Sequence, residues 1–304
     1  MKSISFRSGL ACLAVLTVAA PAAHAQDDAA AGAAAAPAAS AAGPATDSAK
    51  YGWKHEMNGQ LNLSQAYYDK WAKGGTDNLS YEVNLSGAMN LEQPEYTWET
   101  KAKAIYGRTK LGSLGSRTSS DQFDFQSVYT RLLKIHVNPF ASVTAQSQFA
   151  PGFAYTDVAP VSRSRISDYF NPAYFTETVG LGVEPVQDLK ERLGATMKQT
   201  VGSYGFQVDG VRTGRDFRQE YGLSSTTEYQ RALMENIIAS TQLDVFINFK
   251  GIDNIDGRWA NKVTAKVNKW VNANFEYEVL YDSDLSLDTQ TREGLSIGIS
   301  FLSI

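Results

Sequence analysis

The chain has 304 residues, of which 43% are hydrophobic, 20% charged and 11% aromatic, and its formal net charge is −4. This charged fraction is too low and this aromatic fraction too high for a disordered chain. The acidic balance argues against nucleic acid as a partner, because nucleic-acid phosphates require a clustered basic surface. The single cysteine excludes a disulfide scaffold. The sequence also lacks the run of roughly eighteen or more apolar residues that a membrane-spanning helix needs.

Residues 1–25 have the pattern of a secretory signal peptide. Two basic residues precede an apolar stretch from Leu10 to Ala22, and Ala23-His24-Ala25 forms a small-x-small cleavage site. We therefore predict export from the cytoplasm of a diderm bacterium and cleavage after Ala25; a buried N-terminal helix is the alternative. Cys12 lies inside this segment, so the predicted mature chain has no cysteine.

Residues 26–50 consist almost entirely of Ala, Pro, Gly, Ser, Asp and Thr. Glycine and proline interrupt each alanine-rich stretch, and no apolar residues recur at a helical or strand period. This composition predicts a disordered Ala/Pro-rich linker in the periplasm. A plug folded inside the remainder of the protein is the alternative.

From Tyr51 to Ile304 the apolar residues recur at period two, as in β-strands. The last segment shows the pattern clearly, since apolar positions from Leu295 to Phe301 alternate with serine and glycine. Many segments exceed the usual five or six residues of a strand in a soluble protein. Twelve such segments are predicted, at residues 53–68, 78–91, 96–109, 122–137, 140–150, 173–183, 188–201, 218–232, 236–249, 258–267, 271–281 and 294–303.

The predicted connections between these strands alternate between short and long. An even number of long alternating strands with this pattern of connections is typical of bacterial outer-membrane barrels. A sheet in hydrocarbon must close on itself, because lipid offers no partners for backbone hydrogen bonds. We therefore predict that residues 51–304 form an all-β, closed antiparallel transmembrane barrel with short periplasmic turns and longer extracellular loops. A soluble sandwich or a lipocalin-like barrel is the alternative.

Aromatic residues concentrate near both predicted ends of the strands. Interface-seeking rings form two such bands at the edges of a membrane. The predicted band at the short-turn end includes Trp53, Trp98, Phe140 and Trp270, and the band at the long-loop end includes Tyr67, Tyr106, Tyr221 and Tyr281.

Several motifs resemble those of an uncharacterised family of bacterial outer-membrane β-barrels. The first has the form W-x-x-G-G, the second Q-F-x-P-G-F and the third S-D-Y-F-x-P, and a closing hairpin at 261–284 also fits. The resemblance implies a barrel and supplies no activity. Its motif residues are Trp71, Gly74, Gly75, Gln148, Phe149, Gly152, Ser167 and Asp168.

The alternation places charged residues of both signs, in balanced number, on the predicted lumen face. One interpretation is a set of ion pairs that fill a narrow barrel, and the other is a polar pathway for small solutes. Lys262 and Glu276 are predicted to lie almost opposite each other across the last turn. The principal lumen candidates are Glu82, Glu99, Lys101, Lys103, Lys134, Arg192, Lys198, Glu228, Asp244, Lys262, Lys266, Glu276 and Glu278.

Catalytic and metal-binding patterns are weak in this sequence. Outside the predicted signal peptide, histidine occurs only at positions 55 and 136, both near the predicted periplasmic end. Barrel hydrolases resembling the known outer-membrane enzymes usually place a histidine near the outer rim. We therefore expect no catalytic residue, no metal and no cofactor.

The leading hypothesis is a non-catalytic channel or transporter for small polar solutes. A closed barrel with a structural, adhesive or envelope-assembly role is the alternative, and a surface hydrolase is a third hypothesis. The expected partners are outer-membrane lipid and lipopolysaccharide, together with the barrel-assembly machinery. The sequence does not identify a solute.

Overall fold

The computed structural model describes most of the predicted barrel. Residues 1–25 and 26–50, predicted as signal peptide and linker, lie outside the described residues, as do Trp71, Gly74, Gly75 and Lys134. Among the described residues, no helix is long and apolar enough to span a membrane. The described residues are 51–68, 76–112, 115–133, 135–156, 162–203, 207–208, 211–212, 216–251, 255–282 and 288–303.

Within these ranges the chain forms sixteen β-strands. Most of them are long enough to cross the hydrocarbon core of a membrane at a tilt, which takes about 9–11 residues. Their bounds are β1 Gly52–Ala66, β2 Asn78–Glu92, β3 Tyr96–Leu111, β4 Gly115–Arg131, β5 Val137–Ser147, β6 Gly152–Thr156, β7 Ser162–Ser167, β8 Ala173–Val186, β9 Leu189–Val201, β10 Gln207–Val208, β11 Val211–Arg212, β12 Phe217–Met234, β13 Ile237–Asn248, β14 Ile255–Lys266, β15 Val271–Tyr281 and β16 Gln290–Ser303.

Twelve of these strands form one closed antiparallel barrel in the order β1-β16-β15-β14-β13-β12-β9-β8-β5-β4-β3-β2. Each barrel strand pairs with the preceding and following barrel strands along the chain, and β1 pairs with β16 to close the sheet. The pairs β6–β7 and β10–β11 are small hairpins inside two of the long connections. The prediction of an all-β, closed twelve-stranded barrel is confirmed.

The two faces of the barrel differ in polarity as period two requires. On β2, for example, Leu79, Leu85 and Met89 are exposed on the outside. The alternate residues Ser86 and Asn90 line a cavity in the lumen. The apolar content of the chain therefore covers much of the outer surface.

The fourth and fifth predicted strands were misplaced. The dipeptide Asn138-Pro139 was interpreted as a turn, but β4 ends at Arg131 and β5 begins at Val137, so the turn lies between them. Proline is tolerated near the start of a strand, where a ladder hydrogen bond is not needed. Here the pairing of β4 with β5 stops at Phe140, so Pro139 has no partner in β4.

Four strands also extend further towards the long connections than predicted. The Gly- and Ser-rich segment 110–121 was predicted as a long loop, but β3 reaches Leu111 and β4 starts at Gly115. Strands β14 and β16 likewise begin at Ile255 and Gln290, a few residues before their predicted starts. Small polar residues thus continue the ladder where composition alone indicated loops.

Two glycines allow a close approach of β8 and β9. Gly180 and Gly194 lie opposite each other in the register. A Cβ atom on Gly180 would lie 2.1 Å from the backbone oxygen of Leu193 and 2.4 Å from the Cα of Gly194. Because these are backbone atoms, a side chain at position 180 forces the two strands apart.

We expect Gly180→Ala to lower the free energy of unfolding by about 1–3 kcal/mol, the usual cost of overpacking. The matched control is Gly257→Ala, because a Cβ at Gly257 would meet no atom within 4 Å. Urea unfolding of the barrel in lipid vesicles, followed by tryptophan fluorescence, measures both variants. Equal unfolding free energies for the two would contradict the close approach at Gly180.

Candidate functional site: the charged lumen

The lumen contains two principal cavities among the described residues. The first, of ≈ 290 Å³, lies at the short-turn end, where Asp188 of the β8–β9 turn and Asn90 of β2 line it. The second, of ≈ 180 Å³, lies towards the long connections, where Asp256 and Asp282 line it. Polar side chains from most barrel strands surround both cavities.

Ion pairs occupy the region where the two cavities approach each other. Glu99 contacts Lys101 on its own strand and lies 3.8 Å from the Nζ of Lys190 on β9. Arg192, which lines the second cavity, pairs with Glu228, which lines the first. This set, named the middle cluster (Glu99, Lys101, Lys190, Arg192 and Glu228), therefore joins the linings of both cavities.

A second set of charges surrounds Arg258 of β14, whose side chain is only 3% exposed. Its Nε donates to Glu278 on β15 at 2.6 Å, and its Nη1 lies 3.8 Å from a carboxylate oxygen of Asp244 on β13. Asp244 also accepts hydrogen bonds from Thr226 at 2.9 Å and Gln242 at 2.8 Å. Charges this deeply buried need ionic and hydrogen-bond partners. Arg258 has two acidic partners, but only its Nε is hydrogen-bonded, because its Nη1 and Nη2 are buried without a hydrogen-bond partner.

Lys198 forms the charged site nearest the long connections. Its Nζ lies 2.6 Å from Asp256 and 3.7 Å from Asp282. Asp256 lies at the start of β14, and Asp282 directly follows β15. The ion pairs therefore connect β9 to β14 and β15 across the lumen. In the described part of the chain, no group of three or more potential metal ligands is present.

The remaining lumen candidates also face inward. Lys262 lies opposite Glu276 in the register and pairs with it at 2.9 Å, as the sequence predicted. Glu82 accepts hydrogen bonds from Asn62 and Ser120. Lys103 is buried and lies opposite Asp124. Lys266 is in phase with Lys262 at the short-turn end of β14.

Lys134 differs from these candidates, because β4 ends at Arg131 before reaching it. The sequence analysis placed it on a strand that continued to residue 137. Position 134 itself lies outside the described residues.

Several lumen charges were missed by the sequence analysis. Arg258, Asp256 and Arg292 lie at or beyond the predicted strand starts, so they were assigned to strand ends or loops. The signal that identifies Arg258 is its phase, since it precedes Lys262 and Lys266 at intervals of four residues on the same face of β14. Arg292 pairs with Glu278 at 3.0 Å and belongs to the same inward face.

The lumen also contains apolar side chains that period two did not predict. Phe140 was predicted in the outer aromatic band, but it is buried and lines the second cavity. Phe140 is in phase with Ser142, Thr144 and Gln146 of β5, which line the same cavity, so the alternation of this strand places it inside the barrel. It packs inside the barrel together with the buried residues Ile105, Val128, Tyr174 and Leu280, which narrow the lumen.

The other predicted aromatic residues lie on the outside, near the expected ends. Trp53 of β1 and Trp98 of β3 lie on either side of Leu91 of β2, each opposite it in the register. Trp270 lies in the turn before β15. The indole of Trp98 donates to Ser127 at 2.8 Å. At the long-connection end are Tyr67, Tyr106, Tyr221 and Tyr281.

The second and third family motifs meet at the base of the β6–β7 hairpin. Gln148 donates to the backbone oxygen of Asp168 at 3.2 Å, and the backbone N–H of Gly152 donates to Ser167 at 3.1 Å. Asp121 of β4 accepts from the backbone of Phe149 at 2.8 Å. These contacts fix the start and end of the long β5–β8 connection, which is a structural role.

Residues 63–153 match the model of a family described as a protein of unknown function (DUF3078). The expected resemblance to an uncharacterised family is thereby confirmed over this stretch, which includes the first two motifs. No curated protein sequence matches the chain.

Solved structures similar to this chain include three outer-membrane proteins. An outer-membrane channel from Pseudomonas putida F1 is 10% identical, with 82% of this chain and 94% of that chain covered and a TM-score of 0.38. The NanC porin is 11% identical, with 81% and 99% covered and a TM-score of 0.39. The translocator domain of the autotransporter NalP from Neisseria meningitidis is 10% identical, with 84% and 90% covered and a TM-score of 0.37.

We expect Arg258→Met to lower the free energy of unfolding by about 3–5 kcal/mol, because it removes the buried cation between Asp244 and Glu278. The matched control is Lys54→Met, which breaks the exposed pair with Glu92 and should cost less than about 1 kcal/mol. Urea unfolding in lipid vesicles measures both variants. Equally small losses would show that the Arg258 cluster does not stabilise the barrel.

Proposed function

We propose that this chain spans the outer membrane of a diderm bacterium as a non-catalytic channel for small polar solutes. The observation that carries the proposal is the pair of cavities, one towards each end of a closed barrel, which charged and polar side chains line together with apolar ones and which the ion-paired middle cluster joins. Within this proposal the short turns face the periplasm and the long connections face the cell exterior.

The outer surface supports a membrane location. Exposed leucine, valine, isoleucine and methionine side chains lie on the outside of eight barrel strands, and exposed aromatic side chains lie on the other four, β3, β4, β14 and β15. A soluble barrel with this surface would present to water an apolar patch far larger than the few hundred Å² usual for monomers. Lipid and lipopolysaccharide are therefore the proposed surroundings, and the barrel-assembly machinery is the proposed partner in insertion.

The size and charge of the lumen support the class of solute. Cavities of ≈ 290 and ≈ 180 Å³ hold on the order of ten and six waters, at about 30 Å³ each. Pores selective for one sign of charge carry an excess of the other sign in their lining. In the middle cluster Lys101 and Lys190 share Glu99 and Arg192 pairs with Glu228, so the excess is a single positive charge. We therefore propose weak ion selectivity and passage of small neutral or zwitterionic molecules.

The positions of the histidines support a non-catalytic role. His55 lies near the start of β1, and His136 lies just before β5, so both are at the short-turn end. Neither lies near the second cavity or the long connections. The surface hydrolase hypothesis therefore has no histidine base at the end of the barrel that it requires.

One observation favours the alternative of a closed barrel with a structural role. The inward apolar residues, Phe140 among them, and the ion pairs of the middle cluster occupy much of the barrel cross-section. A barrel closed by these groups would conduct no ions, so conductance separates the two proposals.

Purified barrel in a planar lipid bilayer should give reproducible single-channel steps with a reversal potential near zero in a potassium chloride gradient. The double variant Glu99→Gln/Glu228→Gln leaves Lys101, Lys190 and Arg192 in excess. We therefore expect its reversal potential to move towards that of chloride, with a severalfold rise in the anion-to-cation permeability ratio.

The control is Glu92→Gln, which removes an exposed carboxylate at the rim and should leave the selectivity almost unchanged. Well-folded protein that gives no steps, and no swelling of vesicles in small sugars or amino acids, would exclude the channel and leave the closed barrel.

A further inference from the structure

The seam that closes the barrel is only partly paired. Strands β1 and β16 pair from Asn58↔Ser303 to Asn62↔Gly298, and no pair between them follows among the described residues. Both strands nevertheless continue in contact with their other neighbours. Towards the long connections, β1 remains paired with β2 as far as Ala66, and β16 remains paired with β15 as far as Gln290. Within the described part of the chain, the segments 63–66 and 290–297 therefore each have one edge without a paired strand.

Side-chain exposure marks the same position. On these segments Leu63 is 59% exposed, Ile297 68% and Leu295 79%. Outward leucines that are paired on both sides range from 42% exposed for Leu243 to 56% for Leu193, so Leu295 and Ile297 clearly exceed them and Leu63 only slightly. Loss of the neighbouring strand uncovers the flank of each side chain as well as its tip, which accounts for the difference.

Gly298 is the last residue of β16 that is paired with β1 before the pairing stops. A Cβ on Gly298 would lie 1.8 Å from the Nε2 of Gln60 and 2.4 Å from the Oδ1 of Asn62. The two strands therefore lie close together at the last paired position.

The inner side of this gap is charged. Arg292, on the free edge of β16, pairs with Glu278 yet remains 56% exposed. It lines a small cavity of ≈ 70 Å³ that Lys262, Glu276 and Glu278 also line. The unpaired part of β16 therefore has a charged residue, Arg292, on its inward face and apolar residues, Leu295 and Ile297, on its outward face.

We propose that the unpaired part of the β1–β16 seam is a lateral opening through which a single-chain amphiphile exchanges between the bilayer and the lumen. Its polar head contacts Arg292 and Glu278, while its acyl chain lies along Leu63, Leu295 and Ile297. Free backbone N–H and C=O groups are costly in hydrocarbon, and a polar head at the gap supplies hydrogen-bond partners. This lateral route goes beyond the proposed passage of polar solutes from one end of the barrel to the other.

The opening is tested by the access of lipid to Ser296, which faces the lumen beside the gap. Full barrels carrying Ser296→Cys, Leu295→Cys or Ser86→Cys are labelled with bimane and reconstituted in phosphatidylcholine vesicles with or without brominated acyl chains. Leu295 reports the outer surface, and Ser86 reports a lumen position between two fully paired neighbours.

We expect brominated lipid to quench the label at Ser296 to at least half the extent seen at Leu295, and to leave the label at Ser86 almost unchanged. Quenching at Ser296 no greater than at Ser86 would overturn the proposal. The proposal would also be overturned if the label at Ser296 were protected from quenching while two copies of the chain could be crosslinked. That result would show that the free edge pairs with a strand of a second barrel.

The amphiphile is tested by closing the gap. Continuing the observed register places Ser64 opposite Ser296, so the double variant Ser64→Cys/Ser296→Cys forms a disulfide across the gap. The sole native cysteine lies within the predicted signal peptide and does not compete for this pairing. The probe is 11-(dansylamino)undecanoic acid, whose fluorescence rises on binding. We expect at least tenfold weaker binding by the oxidised than by the reduced variant. Equal binding by the two forms would overturn the proposal, and if the disulfide does not form, the quenching result decides. Single-channel conductance of the same samples tests the channel separately.

Discussion

The pairing of backbone hydrogen bonds within a closed sheet is the constraint on which the remainder of this structure depends. Once twelve strands close on themselves, every second side chain must face outward and the others must share a narrow interior. The exterior then takes the apolar residues. The charged residues are left in a space where each needs a partner, and pairs such as Lys262–Glu276 and Arg192–Glu228 follow directly.

The interior pairs differ in their surroundings. Arg258 is almost fully covered, and its contacts with Asp244 and Glu278 fix the relative positions of β13, β14 and β15. The middle cluster borders two cavities, so its side chains have room to change partners. Stability is thus concentrated in one charged set, whereas any control of passage resides in the other.

The alternation in the sequence predicted most of this barrel, because successive side chains of a strand point to opposite faces. A strand with one apolar and one polar face therefore has apolar residues at every second position. The prediction was wrong where polar residues are compatible with both a loop and a strand, as in 110–121, and where Pro139 was interpreted as a turn. Phe140 was also placed on the wrong face. Arg258 was recoverable from its phase with Lys262, whereas the partners of Lys198 depend on contacts between distant strands, which no local pattern records.

The contact between Gly152 and Ser167 couples two segments that lie fifteen residues apart in the chain. A Cβ on Gly152 would lie only 2.3 Å from the hydroxyl oxygen of Ser167, which accepts the hydrogen bond from the glycine backbone. A larger residue at the first position is therefore compatible with this loop only if the second position changes as well. The two positions therefore constrain each other, although the residues between them lie in one of the long connections of the barrel.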